Sequence, residues 1–294
     1  MSEGPIEHAR ACFLRACWLD VAVRKPGNVS LFSAGHRMQA EQFVASAQAA
    51  VEPLFRPGAG VGERIEAAME ATWRAVGCNT NLGILLLCAP IAAATERAGA
   101  GASARSLRAA IESVLAGLDL ADARAAYRAI AQANPGGLGS APEQDVHEAP
   151  TLGLREAMAL AASRDRIARQ YVSGHADLFD IGLTVLPPGF VLMAGPAGVP
   201  PSDAITAAVQ RVYLGYLRAF ADSHIVRKHG EAVAQTVMTA AQAWDGVAAP
   251  DREPAFAAWD ESLKAQGINP GTSADLTVAT LLLAGLLGPA WHGT

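Results

Sequence analysis

Apolar residues recur at helical spacing along almost the whole chain, and no stretch alternates between apolar and polar as a half-buried strand would. The period predicts helices over about 6–23, 39–54, 62–76, 81–97, 104–117, 119–133, 151–173, 202–223, 229–245, 253–266 and 272–287. The short apolar run 183–186 is stopped by Pro187-Pro188-Gly189 and is not a strand. The strongest break, Asn134-Pro135-Gly136-Gly137, opens a polar stretch to Pro150 that reads as a mobile loop. Uncharged stretches at 75–95, 183–202 and 276–291 are interrupted by Asn, Gly and Pro or are too short to span a bilayer, so they read as buried core. The expectation is an all-α protein: one domain over 1–294, a multi-helix bundle with a polar pocket formed by helix ends and loops.

Composition narrows the function. Half of the 294 residues are hydrophobic, mostly Ala and Leu, with 6% aromatic residues, the palette of packed helices. A net charge of −5 argues against a nucleic-acid surface. The cysteines Cys12, Cys17, Cys78 and Cys88 show no zinc-ligand spacing and read as free thiols in a reducing compartment. With no secretory signal pattern at the start, a cytoplasmic protein with no membrane partner is expected. Self-association is left open.

Against this oily background, the polar residues gather at helix ends. Asn79-Thr80-Asn81-Leu82-Gly83 precedes a helix that is apolar on every side. It suits a cap alone, or a cap plus an anion site at a helix N-terminus. Lys25-Pro26-Gly27-Asn28 places a cation and an amide on a rigid turn, either solvated or on a phosphate. His36, after Gly35, is a candidate acid or base. Glu66 and Glu70 lie one helical turn apart, and Glu66, flanked by apolar residues, is the stronger candidate for holding Mg²⁺ or facing a developing positive charge. Arg164-Asp165-Arg166 suits an anchor or a phosphate contact. Asp222-Ser223-His224-Ile225-Val226-Arg227-Lys228 is the densest polar cluster and fits Mg²⁺ and phosphate better than a helical zinc pair. Thr272 and Asp275 form a near-capping box, in a helix start where Gly271 and Ser273 would also suit phosphate. Together these ends imply one shared pocket for a phosphorylated, Mg²⁺-bearing ligand.

In order along the chain, Lys25-Pro26-Gly27-Asn28-Val29, Gly35-His36, Glu66-x-x-Met69-x-x-Thr72, Asn79-Thr80-x-x-Gly83, Asp222-Ser223-x-x-x-Arg227-x-x-Gly230 and Pro270-Gly271-x-Ser273-Ala274-Asp275-Leu276 resemble the triphosphoribosyl-dephospho-CoA synthase family over about 11–287. The resemblance implies an all-α fold and a reaction in which ATP loses adenine and its triphosphoribosyl group passes to a hydroxyl of 3′-dephospho-CoA. It implies Glu66, Asp222 and His36 as catalytic groups, and Mg²⁺ on Glu66, Asp222 and Asp275. Substrate and phosphate contacts would come from Lys25, Asn28, Asn79, Thr80, Asn81, Ser223, Arg227, Lys228 and Ser273. Two departures mark a divergent branch. The family's Asn-Thr-His-Lys-Gly is Asn79-Thr80-Asn81-Leu82-Gly83 here, and the acid of its His-x-Asp-Met is missing from His36-Arg37-Met38. This branch is similar to members associated with methanopterin-linked one-carbon metabolism. Two alternatives follow: a same-fold enzyme acting on another phosphorylated substrate in one-carbon carrier biosynthesis, or a non-catalytic nucleotide-binding or assembly protein.

Overall fold

Two helices that are apolar on all sides have no face to give to water, and the other helices pack around them. The computed structural model describes residues 4–99, 101–135, 145–146, 148–192 and 198–288, so most of the stretch read as a mobile loop lies outside the described residues. Among the described residues the chain is helical, with two isolated β-bridges in the 30–38 loop and no sheet. No described helix is long and apolar enough to cross a membrane.

The central pair is α4 (Leu82–Ala98) and α13 (Gly271–Leu287), buried along most of their lengths and in contact with each other. Around them lie α1 (Pro5–Ala22) on both, α2 (Ala40–Leu54) beside α1 and α3 (Val61–Val76), and α5 (Ala104–Ala116) on α4. α6 (Leu120–Ala133) packs on α3, whose amphipathic face turns inward. A second, smaller core joins α9 (Asp203–Ala219), α10 (Ser223–His229), α11 (Glu231–Ala241) and α12 (Pro254–Ala265) around Tyr213, Leu217, Ile225 and Phe256.

Two helices predicted as continuous are broken, each by an aspartate that caps a new start. The 151–173 period splits into α7 (Leu154–Ala161) and α8 (Arg166–Ser173), because Asp165 Oδ1 accepts from the amides of Ile167 (2.9 Å) and Ala168 (3.0 Å). The 202–223 period ends at Ala219, and α10 begins on Asp222, whose Oδ1 accepts from His224 N (2.9 Å) and Ile225 N (3.2 Å). Tertiary contacts outweigh propensity at both places.

The approach of α3 to α6 depends on Gly62, whose amide donates to Asp122 Oδ1 at 2.7 Å. A Cβ there would stand 2.5 Å from the Cα and carbonyl oxygen of Asp122, which are backbone and cannot swing aside. Gly62→Ala should cost about 1–3 kcal/mol, lowering the melting temperature by roughly 2–10 °C. An unchanged melting temperature would contradict this packing.

Candidate active site

Where the ends of these helices meet, they enclose a cavity of about 730 Å³. One side is apolar, built by α3, α6 and α7 from Trp73, Tyr127, Ile130, Met158 and Leu160. The other side is charged. It takes Asp20 from the end of α1, Asn28 and His36 from the following loop, and Arg164 and Asp165 from the α7–α8 junction. His224, Arg227 and Lys228 come from α10, and Asp275 from the first turns of α13.

The segment 79–83 forms the floor between the two sides, and its polar groups are committed unequally. Asn79 Oδ1 accepts from Leu82 N at 3.1 Å, so it caps α4. Thr80 Oγ1 donates to Ser46 Oγ at 2.6 Å. Asn81 Nδ2 donates to Thr72 Oγ1 at 3.1 Å, while its Oδ1 is buried without a partner among the described residues. Gly83 is required by what lies on it: a Cβ would meet Asp275 Oδ2 at 2.0 Å and Ile167 Cδ1 at 2.8 Å. The floor thus carries a carboxylate from α13 pressed against the start of α4.

That carboxylate, Asp275, makes no hydrogen bond or ion pair among the described residues and faces the cavity. Burial pushes its carboxyl well above the usual carboxylate range, and the neighbouring charges of Asp20 and Asp222 add to the shift. Asp20 is the second cavity carboxylate. Burial raises it, against the opposing pull of Lys25, whose Nζ stands 3.0 Å from Asp20 Oδ1. His36 holds a left-handed backbone (φ 55°), and its Nε2 lies 2.8 Å from the Gly27 carbonyl. A carbonyl only accepts, so Nε2 carries the proton and Nδ1 is the ring's acceptor. Burial lowers its pKa, and Lys228 and Lys264 lower it further, so the ring is neutral at pH 7. His224 is lowered to about 3, first by burial and then by Lys228 and Arg227. Arg227 is paired with Asp165 (2.7 Å), whereas Lys228 and Arg164 have no ion-pair partner among the described residues.

Five residues expected in the site are placed elsewhere. Glu66 does not line the cavity; it pairs through both oxygens with Arg128 of α6. Lys25 is fully buried, with its ammonium spent on Asp20, on Asn28 Oδ1 (2.8 Å) and on the Asp20 carbonyl, so no phosphate reaches it. Asp222 is likewise fully buried: Oδ1 caps α10, and Oδ2 accepts from Ser273 N (2.7 Å) and Ser273 Oγ (2.8 Å). With four hydrogen bonds it has little left for a metal. Ser273 is therefore occupied, and Ser223 Oγ accepts from Arg166 N at 2.9 Å. The near-capping box is also replaced. α13 starts on Pro270 with no side-chain cap of its own, and Asp222 from α10 takes the Ser273 amide instead.

Asp20 and Trp73 were missed. Asp20 had a signal, a lone carboxylate inside the apolar run Trp18-Leu19-Asp20-Val21. Trp73 had none beyond its place beside Thr72, because a helical Trp reads as core.

The residues present fit Mg²⁺ in one form. No group of three His, Cys, Asp or Glu among the described residues could hold a metal alone. Mg²⁺ commonly binds through one or two carboxylates plus ligand phosphates, and Asp275 has both oxygens free of protein partners.

The model of the family described as ATP:dephospho-CoA triphosphoribosyl transferase matches residues 6–293. Among solved structures, a provisionally designated triphosphoribosyl-dephospho-CoA synthase from Archaeoglobus fulgidus is similar at a TM-score of 0.65 and 25% identity, over 85% of this chain and 99% of that one. No curated protein gives a match.

The raised carboxyl of Asp275 has a signed consequence. The folded protein keeps this proton where the unfolded chain has lost it, so the group lowers stability as pH rises above about 3.9 towards its folded value. Asp275→Asn removes that dependence. Urea unfolding in EDTA should show the variant gaining on the parent between pH 5 and pH 8. A constant difference would contradict the raised carboxyl.

Proposed function

The chain belongs to the ATP:dephospho-CoA triphosphoribosyl transferase family, and on that premise we propose how its cavity performs the transfer. It is an ATP-using transferase of the triphosphoribosyl-dephospho-CoA synthase type. The bond from ribose C1′ to adenine breaks, a hydroxyl oxygen of dephospho-CoA bonds to C1′ as it gives up its proton, and adenine takes up one proton as it leaves. The observation that carries the site assignment is that Asp275, Arg164 and Lys228 line one cavity and have no ion-pair partner among the described residues.

Arg164, Lys228 and Arg227 hold the triphosphate, and the apolar side with Trp73 takes flat or aliphatic parts of the two substrates. Asp20, beside Lys25, faces the positive charge that grows on C1′ as adenine departs. Lys25 is thus a positioning residue. His36 Nδ1, neutral and an acceptor, is placed to take the proton of the attacking hydroxyl. Asp275 is the residue that would hold Mg²⁺, which when bound neutralises triphosphate charge.

The test is adenine release by the purified protein. Release should require ATP and dephospho-CoA together, stop in EDTA and return with Mg²⁺. Release with some other phosphorylated acceptor in place of dephospho-CoA would move the reaction to one-carbon carrier biosynthesis. No release with any acceptor would contradict the proposal. Lys228→Met or Arg164→Met should raise the KM for ATP by about tenfold, the worth of one charge-assisted hydrogen bond, with kcat little changed.

A further inference from the structure

Three buried polar atoms of cavity-lining residues have no hydrogen-bond partner among the described residues: Asn81 Oδ1, His224 Nε2 and Arg227 Nε. Buried polar groups are nearly always paired, so three such atoms on residues that line one cavity point to what a ligand supplies. Two of the three belong to charged or titratable groups. Asn81 is the neutral one, with only 5% of its surface exposed.

Nδ2 of Asn81 donates to Thr72 Oγ1 at 3.1 Å, and Thr72 is fully buried in α3. In this arrangement the carbonyl end is the one without a partner among the described residues. The backbone is fixed, since Asn81 O accepts from Leu85 N (2.9 Å) as the first bond of α4. Asn81 Oδ1 is an acceptor with no donor among the described residues.

A triphosphate oxygen at neutral pH offers only lone pairs, so it cannot satisfy this atom and would be repelled by it. An O–H or N–H can satisfy it. The nucleoside of ATP carries three such donors, the two ribose hydroxyls and the exocyclic amine of adenine. Asn81 lies in sequence two residues before Gly83, on which Asp275 rests, and its tether Thr72 adjoins Trp73 of the apolar side. Asn81 thus lines the same cavity as Asp275 and Trp73.

We propose that Asn81 is a specificity-determining residue that accepts a hydrogen bond from a neutral donor on the nucleoside of ATP, and that it does not bind phosphate. This rests on ATP being the substrate, as proposed above, and it replaces the phosphate role that the motif alone suggested.

The experiment measures equilibrium binding to the full chain, without dephospho-CoA so that no turnover intervenes. The probes are ATP, 2′-deoxy-ATP, 3′-deoxy-ATP, purine riboside triphosphate, which lacks the amine, and inorganic tripolyphosphate. One of the three analogues should bind about tenfold or more weakly than ATP, because a site built to pair a donor rejects a ligand without it. The analogue rejected identifies the donor. Asn81→Ala should weaken ATP by a similar factor while leaving that analogue and tripolyphosphate unchanged. Asn81→Asp, still an acceptor, should keep the preference even where added negative charge lowers all affinities. Should Asn81→Ala fail to fold, the analogue series on the parent protein and the Asn81→Asp variant decide. Equal binding of all nucleotides by the parent protein overturns the proposal, as does an Asn81→Ala variant that loses tripolyphosphate as strongly as ATP. If ATP itself does not bind the parent protein, the proposed function falls and this inference falls with it. If ATP binds without discrimination, only this inference falls.

Discussion

One buried carboxylate, Asp222, joins the starts of two helices, and the charged side of the cavity depends on it. Its Oδ1 takes the first free amides of α10, and its Oδ2 takes the amide and hydroxyl of Ser273 at the start of α13. Among the described residues no cation is paired with it; the two helix N-termini supply the compensating positive charge. Through this junction His224, Arg227 and Lys228 on α10 face the same cavity as Asp275 on α13. Asp222 is one of the ties, with the Arg227–Asp165 pair, that set Arg227 and Lys228 relative to Asp275.

The same economy governs the other buried charges. Lys25 is sealed from solvent and neutralises Asp20 on the cavity wall, while the turn around it is held by Asp260 on the Gly27 amide (2.8 Å) and by Tyr213 on the Pro26 carbonyl (2.7 Å). Gly83 gives up its side chain so that Asp275 can rest against the start of α4. The apolar helices α4 and α13 thus hold between them a half-buried carboxyl with no hydrogen bond or ion pair among the described residues. The shell spends most of its buried polar groups on one another and leaves a few free toward the cavity. Burial of an unpartnered polar atom is costly, which makes those few the informative ones.

Much of the helical scaffold was legible because α4 and α13 are apolar all round and the other helices keep a clear period. Where it failed, at 162–165 and 220–222, a side chain captured amides that a period cannot show as free. The candidate site was legible as a set of places rather than a set of roles. Asn28, His36, Asn79, Thr80, Asn81, Arg227, Lys228 and Asp275 do line one cavity. Glu66, Lys25 and Asp222 looked as chemically able as these, but their partners decide their use. Arg128 lies 62 residues from Glu66 and Ser273 lies 51 from Asp222, and nothing local announces either pairing.

On this proposal the carboxyl that would hold Mg²⁺ is Asp275 of α13, and not Glu66 of α3, which the motif favours. Initial rates of adenine release for Asp275→Asn and Glu66→Gln, assayed side by side with the parent protein, test it most directly. Asp275→Asn should lose about 100-fold or more, the scale of a lost electrostatic contact to the transition state. Glu66→Gln should stay within about twofold, because an ion pair with an exposed arginine contributes little. An inactive Glu66→Gln beside a fully active Asp275→Asn would contradict the account.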